Sequence, residues 1–337
     1  MACVMPEFCF MHTFTVFVLS FALAFCSVLP VKKTAFSVGA LDVPKDKRRM
    51  HRETVARGGG LSIFFAFLAA SLFALTEYGG GISTLGGALL SGSAIIVGVG
   101  LCDDVLRLSA KVKLLCQASV AFIPVAFGLN IGSPLLSEDG ALFRIASYAF
   151  TLLFTVLLMN ALNFIDGLDG LAAGFSFLAS LSLFVCNTLS KNYENALFCI
   201  ALCGSALGFL PYNRHKAKIF MGDCGSLFFG YSLATLGIAT LSSVSAETGQ
   251  GSFLPLLPLL LIFAYPLCDL FFAVARRLYN RQSIFSPDAR HFHHRLIARG
   301  FSHTKSVRIL LCAASLFCAL GVLVCVLFLY FSWNSTR

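Results

Sequence analysis

Four short stretches of this chain hold side chains that could bind phosphate or a hard cation. Residues 102–113 read CDDVLRLSAKVK, with Asp103 and Asp104 adjacent. Neighbouring carboxylates repel, and at an apolar boundary the pair is costly unless a cation accompanies it. A solvated helix end is the plainer reading of either Asp alone. Residues 160–170 read NALNFIDGLDG, so Asn160, Asn163, Asp166 and Asp169 recur every third position. On a helix they form a slowly drifting polar stripe, while Gly167 and Gly170 permit a tight turn and close approach to a ligand. One such residue could be a helix cap; four in ten positions exceed that role.

Residues 211–226 read PYNRHKAKIFMGDCGS and set Asp223 between Gly222 and Cys224, just before an apolar run. Small neighbours at a helix N-terminus suit a phosphate bridged by a metal, and helix capping by Asp223 is the alternative. Residues 286–296 read SPDARHFHHRL. Here His291, His293 and His294 lie beside Arg290 and Arg295, a set suited to phosphates or to acid–base work. Zinc fits less well, because no Cys is near and His291 and His293 lack helical i,i+4 spacing. His51, followed by Arg57 and three glycines, is a weaker anion site.

These groups need a scaffold, and the composition says what kind. Of 337 residues, 58% are hydrophobic and 12% charged, with mean hydropathy +0.84. A soluble domain carries about 25% charge. The composition excludes a water-soluble enzyme, a disordered chain and a secreted disulfide scaffold. Ten apolar stretches predict spans at about 8–31, 58–76, 83–101, 112–130, 146–163, 170–188, 195–210, 224–244, 253–275 and 306–331. They leave no room for a separate soluble domain, so residues 1–337 are expected to form one all-α, polytopic membrane helix bundle. The first stretch has no basic residue before it and Lys32 and Lys33 after it, the reverse of a cleavable signal.

That polarity puts the N-terminus outside. Alternation then places 32–57, 102–111, 164–169, 211–223 and 276–305 inside, with the C-terminus outside. All but Arg144, Lys191 and Arg337 of the 25 basic residues fall in or beside the inner segments, as the positive-inside rule requires. The net charge of +9 is thereby read as topology and phosphate affinity, with no nucleic acid implied. The cysteines lie mostly within spans without C-x-x-C spacing; Cys199 and Cys203 read as small packing residues. Gly92, Gly98 and Gly100 are expected to permit close helix packing.

All four clusters fall at the same inner face, in the loops 32–57, 102–113, 160–170, 211–226 and 276–305. Carboxylates, carboxamides and imidazoles converging there describe a Mg²⁺-dependent phosphoryl-transfer site, with Mn²⁺ as the alternative ion. An ion-coupled transporter would instead carry ionisable groups near the midplane. Asp269 is the one carboxylate inside a span, only seven residues before Arg276.

With those residues in view, the chain resembles the polyprenyl-phosphate N-acetylhexosamine-1-phosphate transferase superfamily. The resemblance rests on Asp103-Asp104, Asn160 to Ala172, Ala217 to Ser226 and His291 to His294, in order from about residue 42 to 300. It implies that Asp223 is the Mg²⁺ ligand, that Phe220 stacks on uracil, and that Gly167, Leu168 and Asp169 form the uridine pocket. It further implies that Asp103 acts as base toward the lipid phosphate, with Asp104, Asn163 and Asp166 beside it. His291, His293 and His294 serve catalysis and the diphosphate; Asn213, Arg290 and Arg295 complete the substrate-binding set.

The implied substrates are a UDP-N-acetylhexosamine, most simply UDP-GlcNAc, and undecaprenyl phosphate, in a bacterial inner membrane with the site facing the cytoplasm. A homodimer is a candidate assembly. SPDARHFHHRL followed by GFSH resembles the branch that starts O-antigen, enterobacterial common antigen or teichoic-acid chains. The phospho-MurNAc-pentapeptide branch, or another UDP-N-acetyl sugar, is the rival within the class. The chain departs from its relatives at Thr54 and Ala56, where they carry prolines; this loosens the loop and weakens any role for His51 and Arg57. Cys224 replaces a common Ser or Thr.

Overall fold

The computed structural model describes residues 5–42, 54–78, 82–132, 140–248, 253–283 and 290–335. His51 and residues 286–289 lie outside the described residues. Twelve α-helices run in the order α1 (Met5–Ser37), α2 (Gly60–Tyr78), α3 (Thr84–Leu106), α4 (Ala110–Ala126), α5 (Ala141–Ile165), α6 (Leu171–Leu189), α7 (Tyr193–Asn213), α8 (Gly222–Thr248), α9 (Leu256–Ile262), α10 (Ala264–Tyr279), α11 (Phe292–Ala298) and α12 (His303–Ser335). Between α1 and α2, β1 (Leu41–Asp42) pairs antiparallel with β2 (Val55–Ala56).

The expected all-α bundle is the architecture observed, and each predicted apolar stretch lies mainly on helix, although 112–130 runs past the end of α4 at Ala126. Among the described residues seven helices are long and apolar enough to cross a membrane, and the chain is a multi-pass membrane protein. The stretch 253–275 is not one straight span. It breaks at Phe263 into α9 and α10, bent by 76°, and counts as an eighth crossing only if the pair is taken together. The apolar part of α2, Gly60–Thr76, is shorter.

The axis of the bundle is α8, buried along nearly its whole length against α2, α3, α5, α6 and α12. Lipid is as apolar as leucine, so helices in a bilayer associate through close packing at small residues. Three such approaches set the register of α8. A side chain at Gly60 would collide with the backbone of Gly225, one at Gly100 with that of Cys224, and one at Gly92 with the Tyr231 ring. Tyr231 in turn donates its hydroxyl to the Ala88 carbonyl at 2.8 Å. Gly98, expected to pack like its neighbours, faces open space. The same device holds α1 on α7, where Gly204 and Gly208 approach the Phe17 and Phe21 carbonyls.

Candidate active site

The ends of α3 and α5 and the starts of α4 and α8 meet at one end of the bundle, and each brings polar atoms to a common point. Asp223, in the first turn of α8, receives a hydrogen bond from Asn163 Nδ2 at 3.0 Å. The same amide reaches Ser226 Oγ at 2.9 Å. Lys113, from the first turns of α4, sits between the carboxylates. It pairs with Asp223, lies 3.0 Å from Asp103 Oδ2, and reaches Asn163 Oδ1 at 3.4 Å. The other oxygen of Asp103 accepts the Leu108 amide at 2.7 Å, folding the α3–α4 turn beneath it.

Three oxygen-bearing side chains from three helices therefore surround one positive charge. Oxygen donors around a concentrated positive charge are the set a hard divalent cation takes, and Asp223 keeps part of its surface open. Asp223, Asp103 and Asn163 offer oxygen donors of the kind that Mg²⁺ or Mn²⁺ would take.

Asp104, next in sequence, is used differently. It is buried, and its two oxygens accept the Asp223 amide at 2.9 Å and the Cys224 amide at 3.2 Å. A helix N-terminus leaves its first amides unpaired, and α8 has them satisfied by a carboxylate 120 residues earlier in the chain. Asp104 thus positions Asp223 through the backbone. Gly222, at φ +75°, makes this possible, because any side chain there would meet the Asp104 carboxylate. Arg57 lies 3.9 Å from Asp104 and 3.3 Å from Asp42, linking the small hairpin to this cap. The hairpin also pairs with the segment before α8. Phe220 N donates to Ala56 O at 2.9 Å, and Gly59 and Gly60 donate to the carbonyls of Phe220 and Met221. Phe220, expected to face uracil, is held at both backbone atoms and half-buried.

The second half of the site is built on the turn between α5 and α6. Protein crowds Asp166, although some of its surface reaches solvent. That desolvation, with Asp104 and Asp169 as fellow anions, holds its carboxyl well above the usual carboxylate range, against the opposing Arg57 charge. Gly167 is needed because the His293 ring lies where its side chain would be. Leu168 is buried in the core. Asp169 is a hub: its Oδ2 faces His215 Nδ1 and the Ala217 amide, each at 3.3 Å, and its amide donates to His303 Nε2 at 3.1 Å.

Among the described residues, Asp169, His215 and His303 alone bring three possible metal-ligand atoms of His, Cys, Asp or Glu within 4.8 Å of one another. Their geometry is that of a clasp. The His303 lone pair is already used by the Asp169 amide, and the two imidazoles stack at 4.4 Å with their planes 23° apart. Asn213, expected to bind substrate, is buried and clamps backbone. It accepts the Gly170 amide and donates to the Ile219 carbonyl, both at 3.1 Å, and so holds the α5–α6 turn onto the Phe220 segment.

The histidines divide. His291 is buried, with Nδ1 2.8 Å from Asp269 Oδ2 and its ring 5.1 Å from that of Phe164. His293 is 1% exposed, and neither ring nitrogen has a hydrogen-bond partner among the described residues. Burial, reinforced by His294, pushes its pKa down to about 3. Its ring packs on Gly167, and at that pKa it offers the phosphates a neutral imidazole. His294 stays half-buried beside it at 4.2 Å, and Arg290 and Arg295 are exposed.

The structure therefore brings Asp103, Asn163 and Asp223 into one cluster with Asp104 and Asp166 adjoining. It links Gly167 to the histidine motif and sets Leu168, Asn213 and His293 in supporting positions. Lys113, Ser226, His215, Asp269 and His303 join the site without having been singled out for it. Lys113 was counted only as a basic residue at a span end, and Asp269 only as a carboxylate within a span. His303 closes the GFSH segment, which was read only as a mark of the branch and not as part of the site.

The comparisons with known proteins give the family. Residues 87–241, which run from α3 through most of α8, match glycosyl transferase family 4. A probable undecaprenyl-phosphate N-acetylglucosaminyl 1-phosphate transferase of Bacillus subtilis is 40% identical over 285 residues, covering 83% of this chain and 76% of that protein. The chain belongs to this transferase superfamily. A decaprenyl-phosphate N-acetylglucosaminephosphotransferase of Mycobacterium tuberculosis is 38% identical over 303 residues, covering 83% of this chain and 74% of the relative. The undecaprenyl-phosphate alpha-N-acetylglucosaminyl 1-phosphate transferase of Escherichia coli is 29% identical over 301 residues, covering 87% and 78%. The family match contains Asp103, Asp104, Lys113, Asn163, Asp166, Asp169 and Asp223, while the histidine motif lies beyond it.

Proposed function

We propose that this protein transfers N-acetylglucosamine 1-phosphate from UDP-GlcNAc to a polyprenyl phosphate, undecaprenyl phosphate in the simplest case, and releases UMP. The observation that carries the reading is the meeting of Asp103, Asn163 and Asp223 around Lys113 at one end of an apolar helix bundle. A lipid acceptor dissolved in the bilayer and a water-soluble nucleotide sugar can meet at such an end. The names of the relatives carry the same reaction.

In the reaction an oxygen of the acceptor phosphate bonds to the β-phosphorus of the donor. The bond from that phosphorus to the bridging oxygen breaks, and UMP leaves with the electron pair. A phosphomonoester has its second pKa at about 6, so the acceptor is mostly ionised at neutral pH and needs orientation more than a strong base. Asp103 and Lys113 orient it. The Asp103 carboxylate accepts a residual proton, and the Lys113 ammonium offsets phosphate charge. Asp223 would hold Mg²⁺, with Asn163 and Asp103 beside it as further oxygen donors, and the ion would neutralise charge on the diphosphate. Asp104 holds the start of α8 in register, Phe220 and the Gly167–Asp169 turn receive the uridine, and His291 and His294 face the diphosphate with Arg290 and Arg295. The distribution of basic residues favours ten crossings with both termini outside, an arrangement that would turn this end to the cytoplasm.

The test uses the purified full-length protein in nanodiscs with undecaprenyl phosphate, Mg²⁺ and a panel of UDP-sugars, with UMP release measured. Release with UDP-GlcNAc alone or best is expected. Release only with UDP-MurNAc-pentapeptide would move the chain to that branch. Silence with every UDP-N-acetyl sugar would sink the proposal.

A further inference from the structure

The histidine motif is short and straddles the start of a seven-residue helix, α11, with His291 as its N-cap, and so brief a helix cannot by itself fix an imidazole. What fixes it is α10. Asp269, 1% exposed, turns both carboxylate oxygens to consecutive residues of the motif. Oδ2 meets His291 Nδ1 at 2.8 Å, and Oδ1 accepts the Phe292 amide at 2.8 Å. Tyr265, Asp269 and Phe272 are spaced i, i+4 and i+7 on α10 and so share one of its faces. Tyr265 stacks on Phe292 at 6.5 Å and Phe272 meets the same ring edge-on at 5.9 Å. On the other side Phe164 packs on His291, backed by the Arg277 guanidinium 5.5 Å from its ring.

From this geometry we propose that Asp269 is the positioning residue of the histidine motif, holding His291 in one ring orientation and one tautomer. A carboxylate accepts and does not donate, so the proton between the two groups resides on Nδ1. The other nitrogen, Nε2, is then the one left for the substrate phosphates or for a proton in transit. The same carboxylate that orients the ring also caps α11, so motif and imidazole move as one unit with α10.

The inference rests on the transferase reading, and the experiment separates the two. Asp269→Asn keeps an acceptor for the Phe292 amide, but its NH₂ faces Nδ1 and imposes the opposite tautomer. Such a change of tautomer costs on the order of 10²–10⁴ in turnover where a carboxylate orients a working histidine. In full-length protein the expected result is a kcat for UMP release lowered at least about 100-fold, with donor KM and melting temperature near wild type. The pH profile of kcat should move, and the double variant D269N/H291Q should be no slower than H291Q alone.

A D269N protein with wild-type kcat and pH profile would overturn the inference. So would a double variant whose loss is the product of the two single losses, since Asp269 would then act independently of His291. If D269N does not fold, Asp269→Glu decides. Its carboxylate, displaced by one methylene, should lower kcat and shift the pH profile at unchanged KM; a wild-type profile would overturn the inference. A wild-type protein that releases no UMP would remove the transferase reading instead.

Discussion

The two ends of α8 both gather buried polar side chains from neighbouring helices, and they are built on opposite terms. Toward its C-terminus the network is neutral. Asn187 donates to Thr240 Oγ1 and to the Leu183 carbonyl, both at 2.7 Å, and Asn195 donates to Asn187 Oδ1 at 2.6 Å. Amide and hydroxyl find each other at interior positions of α6, α7 and α8, and the network tightens the bundle. Toward its N-terminus the groups are ionisable, all but Asp104 are partly open to solvent, and the carboxylates Asp103, Asp104, Asp166 and Asp223 outnumber the cations Lys113 and Arg57 among them. Burying like charges together opposes folding. Polar groups that only hold helices together end up paired with one another, whereas Asp103 and Asp223, offered to a ligand, stay partly open to solvent.

That contrast can be broken in several places, with activity and stability responding oppositely at the two ends. The largest effect is expected from Asp223→Asn, which should lower UMP release by about 10²–10³ or more while leaving the melting temperature near wild type. Chelation of divalent ions should silence the wild type, and Mg²⁺ should restore it. Activity that survives D223N in a folded protein would remove the metal role. At the other end, Asn187→Ala strips partners from Asn195 and Thr240 and should destabilise by about 1 kcal/mol, the scale of interhelical hydrogen bonds in bilayers. Turnover per folded molecule should stay unchanged; thermal denaturation in detergent measures the first and UMP release the second.

Asp166→Asn should do the reverse. The native state binds the Asp166 proton more tightly than the unfolded chain, so this residue's contribution is greatest at acid pH. It declines as pH rises from the unfolded carboxylate value, about 4, toward the raised native one. The asparagine variant should therefore melt higher than wild type at neutral pH yet turn over more slowly.

The smallest effect concerns His293, whose pKa falls from 6.5 to about 3. Below pH 6.5 the unfolded chain takes up a proton that the native ring refuses, so stability is fully present above 6.5 and is lost as pH falls toward 3. His293→Gln should flatten that acid limb in melts recorded between pH 7 and pH 4. An unchanged slope would place the titrating group elsewhere.

Much of the site could be read along the chain because its motifs are local. Asp103 with Asp104, the Asn163-to-Asp169 stripe, Asp223 between small residues and the histidine motif each announced themselves within about ten positions. The helices were legible for the same reason, since an apolar run is a property of consecutive residues. The break at Phe263 was not, because both halves are apolar and nothing in the hydropathy marks a 76° bend.

The division of labour inside each motif was the part the sequence left open. Adjacent carboxylates look equivalent on paper. In the structure Asp103 faces a lysine and Asp104 caps a helix that begins 118 residues later. The backbone atoms that Asn213 clamps, and the burial of His293 against Gly167, were visible only in the structure. Residue types and hydropathy determined by themselves that this is a membrane-embedded, phosphate-handling protein, because those properties follow from local chemistry. Which atom carries the charge, holds the cap or orients the ring was decided by tertiary structure. A polar side chain's role is set by the donors and acceptors around it, and here these come from segments far apart in the chain.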